Sequence, residues 1–383
     1  MNRIHAALIL LLCSLRPALP QTRKYPDAEV EKIHRSLLLI DTHNDITSKT
    51  VEGFDIASNG AATHTDLARL RQGNVGAVFF AVYVAASYVT GNRSAHRALE
   101  MIDTVKRDIV AKHPDSFEFV TSADGIEAAR RRGKIAALMG LEGGHGIEDS
   151  LRLLRDYYDL GIRYMTLTHA NTNNWADSSG GKPTHDGLTV FGKQVVREMN
   201  RLGMMVDVSH VSDKTFWDAL AASKAPVFAS HSSCRAIAPL PRNMTDEMIR
   251  ALAKKGGVIQ LNFGCDFLSP AAAAGSPLLH PLAPAAGKSS GKGGKPRIRA
   301  TLGDIVAHID HVVKIAGMEY VGIGSDFDGV GCTPAGLDDV SKFPNLTRAL
   351  LEKGYTPRDI GGIYGGNLLR VMRAVERAAE RPR

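Results

Sequence analysis

The sequence predicts a single (β/α)8 barrel of the TIM type. Three observations along the 383 residues predict it: eight short apolar runs in succession, amphipathic Ala/Arg/Leu-rich stretches between most of them, and polar residues gathered just past the runs. Apolar runs without internal alternation suit parallel strands covered on both faces. Strands alternating with helical patterns make an α/β protein, and eight such units argue for a closed barrel over an open sheet.

The runs fall at 37–41 (LLLID), 75–84 (VGAVFFAVYV), 135–141 (IAALMGL), 164–168 (YMTLT), 204–209 (MMVDVS), 226–230 (PVFAS), 257–263 (GVIQLNF) and 320–325 (YVGIGS). Helical periodicity fills the gaps, as at 150–160 and 213–222. A barrel absorbs about 250 residues or more as one domain, so residues 21–383 read as one unit. Hydrophobic residues at 44% and charged residues at 23% supply a large core and exclude a disordered chain. Residues 269–299, rich in Pro, Gly, Ala and Ser, read as a flexible insertion after the seventh strand.

Residues 1–20 place an Arg before the apolar run from Ala6 to Leu12, which is too short to span a membrane. This segment reads as a secretory signal peptide, and the expected location is periplasmic or extracellular. No other run is long enough for a transmembrane helix, and the polar end ERAAERPR makes a lipid anchor unexpected. The four cysteines show no C-x-x-C spacing, which excludes a zinc ribbon or a thioredoxin-like site. The net charge of +7 is local. Residues 1–20 carry +2, residues 287–299 carry +5 and residues 371–383 carry +2, leaving −2 on the rest. That distribution, with 6% aromatics and no recognition motif, gives no support to nucleic-acid binding.

Barrel active sites lie at the C-terminal ends of the strands. His43 and Asp45 follow the first run, Glu142 the third, His169 the fourth, His210 the fifth and His231 the sixth; Asp326 follows the eighth. Imidazole and carboxylate at one end of a barrel make a metal site. His43 and Asp45, two residues apart, share one side of an extended segment. Glu142 is suited to bridging two cations, and His210 and His231 to completing a second one. Two metals about 3.5–4 Å apart lower the pKa of a shared water and hold the electrophile beside it. Asp326 is the candidate for proton transfer. His169 is the candidate for stabilising an oxyanion. Arg242, on the loop after the sixth run, suits bidentate grip of a carboxylate.

These residues stand in stretches that resemble the membrane (renal) dipeptidase family, a branch of the metal-dependent amidohydrolase barrels. The stretches are Asp41-Thr42-His43-Asn44-Asp45, Leu141-Glu142-Gly143-Gly144-His145, Leu167-Thr168-His169-Ala170-Asn171 with Asn174-Trp175-Ala176-Asp177, Asp207-Val208-Ser209-His210-Val211-Ser212, Ala229-Ser230-His231-Ser232-Ser233, Arg242-Asn243, Gly324-Ser325-Asp326-Phe327-Asp328-Gly329 and Gly366-Asn367-Leu368-Leu369-Arg370-Val371. They run in the family's order from about residue 36 to residue 372. The resemblance implies two Zn²⁺ per chain, one held by His43 and Asp45, the other by His210 and His231, with Glu142 bridging. It further implies that His169 polarises the scissile carbonyl, that Asp326 moves the proton, and that Arg242 binds the C-terminal carboxylate of a dipeptide. A metal-bridging hydroxide would be the nucleophile, dipeptides ending in a D-residue would be accepted, and the chain would be a homodimer.

Three departures from the family pattern are visible. Asn171 stands where mammalian members have Cys, and Cys234 and Cys265 lie near another cysteine pair of the family without matching it well enough to assign a bridge. The missing C-terminal anchor points to a bacterial-type exported relative. The readings that compete are another amidohydrolase activity, on N-acyl amino acids, cyclic amides or lactones, and a metal- or peptide-binding protein without turnover.

Overall fold

The barrel is built from strands whose inward faces change character along their length. In the computed structural model, residues 24–276 and 298–380 are described. Among them are β1 (Leu39–Asn44), β2 (Val75–Tyr83), β3 (Phe117–Phe119), β4 (Ile135–Glu142), β5 (Ile162–Thr166), β6 (Met205–Asp207), β7 (Phe228–Ser232), β8 (Val258–Leu261) and β9 (Val321–Ile323). The order is β1-β2-β4-β5-β6-β7-β8-β9, with every paired neighbour parallel. The ring is nearly closed. Its seam is sewn past the strand ends, where Asp326 N–H donates to the His43 carbonyl at 3.0 Å and Asp45 N–H to the Phe327 carbonyl at 2.8 Å.

Two expectations about the strands need correcting. β3 was not among the eight runs: its three residues pair with Ile135–Ala137 at the start of β4, while β5 takes the later part from Met139. A strand this short has too few residues to announce a period. The strands also run past several of the apolar stretches. His43 therefore lies inside β1, Glu142 is the last residue of β4, and His231 lies inside β7. Pairing there is sustained by the backbone of neighbours, as in Tyr83–Glu142–Thr166 and Ser232–Leu261, which a polar side chain does not interrupt.

Alternation of side chains places Leu138, Gly140 and Glu142 on one face of β4. Leu138 packs with Ile40, Phe79, Tyr164, Met205 and Phe228 in an apolar cluster that the helix Asn367–Ala378 joins through Leu368 and Met372. Further along, the same rows become polar: Glu142 on β4, four residues past Leu138, and Thr166 on β5, Asp207 on β6 and Ser230 on β7, each two residues past its floor residue. The polar layer is therefore a continuation of the inward faces beyond an apolar floor.

The insertion expected at 269–299 is ordered at both ends. Ser269 caps the helix Pro270–Ala274, whose Ala272 and Ala273 are buried. Arg299 donates to the carbonyls of Thr333 and Pro334, and Thr301 bridges Ala335. Residues 277–297 lie outside the described residues, as does the expected signal at 1–20. Cys265 is joined to Cys332, while Cys234 is buried and free, so the open question of a Cys234–Cys265 bridge closes against it. No helix among the described residues is long and apolar enough to cross a membrane.

Gly140 tests the floor of the barrel. A Cβ there would lie 1.9 Å from the Tyr164 ring. Gly140→Ala is expected to cost about 1–3 kcal/mol through overpacking, read from the midpoint of chemical denaturation. A midpoint equal to the wild type's would show that Tyr164 is not wedged as described.

Candidate metal centre and catalytic pocket

All eight residues singled out from the sequence meet at one mouth of the barrel. Glu142 is at the centre, 4% exposed. Its Oε2 lies 3.4 Å from His43 Nε2, and its Oε1 lies 3.1 Å from His210 Nε2, 3.2 Å from His231 Nε2 and 3.8 Å from His169 Nε2. Asp45 Oδ2 approaches His43 Nε2 at 3.3 Å, and an oxygen of Asp326 joins this group within 4.8 Å. The two carboxylate oxygens of Glu142 thus serve different sides: one faces His43, the other faces the remaining imidazoles.

The imidazoles are aimed by partners behind them. Tyr164 OH donates to the Thr42 carbonyl (3.1 Å), so its oxygen is left to accept from His43 Nδ1 at 2.7 Å. Ser230 OH donates to Asp207 Oδ2 (2.5 Å), leaving its oxygen to accept from His231 Nδ1, also at 2.7 Å. In both cases a proton is placed on Nδ1 and Nε2 is the atom that points into the cluster. This is the arrangement by which a hydrogen bond to one ring nitrogen prepares the other for a metal. His43 Nε2 is buried with no hydrogen-bond partner, as a ligand atom aimed at a cation site would be.

The backbone contributes as well. His210 and Asp326 have φ of +66° and +60°, in the left-handed region that residues other than glycine seldom occupy. The turn out of β6 bends there and directs His210 back over Glu142. The turn out of β9 does the same for Asp326, whose Oδ2 accepts from Asn262 Nδ2 at 2.6 Å. Asn262 is itself held by Gly264 N–H, which donates to its Oδ1 at 2.6 Å.

Burial holds His210 and His231 well below the usual imidazole range, so both are neutral. Burial also lowers His169. For His43, burial is outweighed by Tyr164, Glu142 and Asp45, which raise it. The acids that draw a proton to His43 are equally suited to draw a cation. Burial would raise Glu142, but the imidazoles around it, His43 first and then His169, His210 and His231, hold it well below the carboxylate range. Burial and then the neighbouring Asp45 push Asp326 up.

Arg242 is 8% exposed. It donates to Ser232 Oγ (2.8 Å) and to the His231 carbonyl (2.6 Å), while its Nε–H is buried without a partner. Burial lowers its pKa to about 10, which leaves it cationic at neutral pH. The residues enclose a cavity of about 370 Å³, lined also by Tyr83, Phe267, Asp328, Gly329 and Val330. That size admits a molecule of a few tens of atoms at most.

Residues 27–383 match the membrane dipeptidase family, peptidase family M19. The chain belongs to that family. As a family member it is a hydrolase of the metallo-dipeptidase class. It is 38% identical over 384 residues to an uncharacterized dipeptidase, C965.12, of Schizosaccharomyces pombe (strain 972 / ATCC 24843), covering 94% of this chain and 86% of that protein. It is 37% identical over 359 residues to dipeptidase 3 of Rattus norvegicus, covering 91% of this chain and 67% of that protein. The crystal structure of the probable dipeptidase PvdM from Pseudomonas aeruginosa superposes with a TM-score of 0.82 at 26% identity, over 93% of this chain and 100% of that one. Fungal and mammalian proteins are thus among the relatives of this dipeptidase-family chain.

Several residues around the site were not assigned roles from the sequence. Tyr164, Asp207, Ser230 and Asn262 orient His43, His231 and Asp326 without being among the eight. A signal was available for two of them: Tyr164 and Asp207 are polar positions in otherwise apolar strand runs, where a buried polar group must find partners. His145, in the same motif as Glu142, turns away and donates from Nε2 to the Val84 carbonyl. Asp328 is drawn aside to accept from His64 N–H at 2.7 Å.

Tyr164→Phe removes the acceptor behind His43 and leaves the ring packing in place. Zinc affinity is expected to fall about 10–100-fold, measured by competition with a chromogenic chelator, with an unchanged circular-dichroism spectrum. An unaltered affinity would show that the hydroxyl does not orient a ligand.

Proposed function

We propose that the chain is a binuclear zinc dipeptidase. The observation that carries this reading is the division of Glu142, one oxygen toward His43 and the other toward His210 and His231. A carboxylate so placed suits a bridge between two cations, with His43 and Asp45 on one and His210 and His231 on the other. The donor set is nitrogen and oxygen, with no thiolate, as in catalytic rather than closed structural zinc sites. When bound, the ions supply a water of lowered pKa and a Lewis acid for the carbonyl.

The remaining work falls to side chains. Arg242 fixes the C-terminal carboxylate, which meets the unpaired Nε–H and adds a charge-assisted bond. His169, neutral through burial, has an N–H to give to the oxyanion that develops on the scissile carbonyl. Asp326, held by Asn262, takes the proton of the attacking water and returns it to the leaving amine. Acceptance of a C-terminal D-residue and a homodimer belong to the same proposal on the family resemblance, and export on the signal-like pattern of residues 1–20.

The test is metal analysis and turnover of the purified chain on a panel that pairs L-Ala-L-Ala with L-Ala-D-Ala. Two zinc ions per chain and hydrolysis abolished by chelator are expected. Zinc-loaded protein that cleaves no dipeptide would sink the reading, and one ion per chain would remove its bridge. Light scattering that found a monomer, or a secreted form retaining Met1, would remove the corresponding parts. Asp326→Asn should lower kcat by about 10²–10⁴-fold with the metal retained. Arg242→Met should lower kcat/KM by about 10–100-fold, mainly through KM, as expected for losing a hydrogen bond to a charged group of about 1.5–3 kcal/mol.

A further inference from the structure

Two loops form the rim of the pocket on the side of Arg242, and they are cross-linked. Cys265, in the short helix Cys265–Leu268 after β8, is bonded to Cys332 in the loop after β9, 67 residues away. The same two residues share a backbone hydrogen bond, Cys265 N–H to the Cys332 carbonyl at 3.1 Å. Each half-cystine lies two positions from an apolar residue that lines the cavity. Phe267 follows Cys265, and Val330 precedes Cys332. Phe267 and Val330 converge on Gly264: a Cβ there would lie 2.8 Å from the Phe267 ring and 2.9 Å from a Val330 methyl. The ring also lies under the Arg242 guanidinium, 5.6 Å from Cζ to the centroid.

We propose that the Cys265–Cys332 bridge is a positioning cross-link that sets Phe267 and Val330 as one apolar wall for the side chain of the substrate's C-terminal residue. This rests on the dipeptidase reading, because it places the C-terminal carboxylate on Arg242. The α-carbon bonded to that carboxylate then carries its side chain beside the guanidinium, where Phe267 is stacked. Neither wall residue is held from below by a strand. Phe267 sits in a helix of four residues, and Val330 in a loop whose Gly329 is exposed. Without the bridge, the two halves of the wall would rest on loops joined at this point by one backbone hydrogen bond, from Cys265 to Cys332. An apolar pocket discriminates by fit, about 10–200-fold per methylene gained or lost, and a loose wall forfeits that fit. A bridge that served global stability alone would change the amount of folded enzyme but not its choice between substrates.

The readout is the ratio of kcat/KM for Ala-Leu over Ala-Gly, on zinc-loaded protein, with kcat and KM resolved. The wild type should favour Leu by about 10-fold or more. Cys265→Ser/Cys332→Ser should bring the ratio down about 10-fold, with the change in KM for Ala-Leu. Cys265→Ala/Cys332→Val, which replaces the bridge by apolar contact, is the second cross-link variant should the first not fold. Phe267→Leu and Val330→Ala, which keep the bridge, should each lower the same ratio. A wild type that cleaves dipeptides without this preference overturns the inference, as does a bridge-free enzyme with an unchanged ratio. A fall in kcat alone, equal for both substrates, does so too. A zinc-loaded wild type that cleaves neither overturns the dipeptidase reading itself, and the wall with it.

Discussion

A carboxylate sealed at the mouth of a barrel is costly unless charge comes to it, and the arrangement around Glu142 follows from that constraint. The residue is buried, and four imidazole nitrogens approach its two oxygens. Two of those imidazoles are neutral through burial and one is drawn toward protonation, so the chain alone compensates the acid only in part. Divalent cations complete the balance in the proposed function. The inward faces of β4, β5, β6 and β7 put polar groups at this level because each strand continues past an apolar floor.

Orientation comes from the groups behind the imidazoles. Tyr164 and Ser230 each use their one proton elsewhere and so accept from a histidine Nδ1. Asp207, which takes the Ser230 proton, is also bonded by Thr166 Oγ1 at 2.5 Å and by the amides of Ser209 and Ser230. A chain of satisfied hydrogen bonds therefore runs from β5 and β6 to the ring of His231. Rigid strands carry this support, and turns with left-handed residues carry His210 and Asp326. Precision from strands and reach from turns is a division expected where geometry must hold to fractions of an ångström.

The rim is organised by the chain from Asp326 to Asp338. It supplies Asp326 to the pocket, ties to β1 through Phe327, accepts the disulfide at Cys332 and receives the returning chain at Arg299 and Thr301. Both ends of the inserted segment are thus anchored to one loop. A composition rich in Ala, Pro and Gly reads as flexible along its whole length, yet its first residues form a capped helix with buried alanines. Tertiary burial overrides local composition there.

Much of this was legible in the sequence. Apolar runs are a local property, so the eight strands of the ring, the α/β alternation and the barrel follow from periodicity, while the three-residue β3 does not. Seven of the eight candidate residues follow too, because barrel chemistry is confined to one end of each strand and His and acidic residues concentrate there, while Arg242 is read from the loop after the sixth run. What a one-dimensional pattern does not contain is which atom meets which. The split of Glu142 between two groups, the Nδ1 protons of His43 and His231, and the choice of Cys332 over Cys234 as the partner of Cys265 depend on contacts between distant segments. The pairing of His43 with Tyr164 spans 121 residues and the disulfide spans 67. Such contacts are set when the ring closes and the strand register places side chains at one height. The sequence by itself determined the elements, the end of the barrel that carries chemistry and the kinds of ligand there. Only the tertiary structure decided their aim, because aim is a matter of register, turn conformation and hydrogen bonds across the ring.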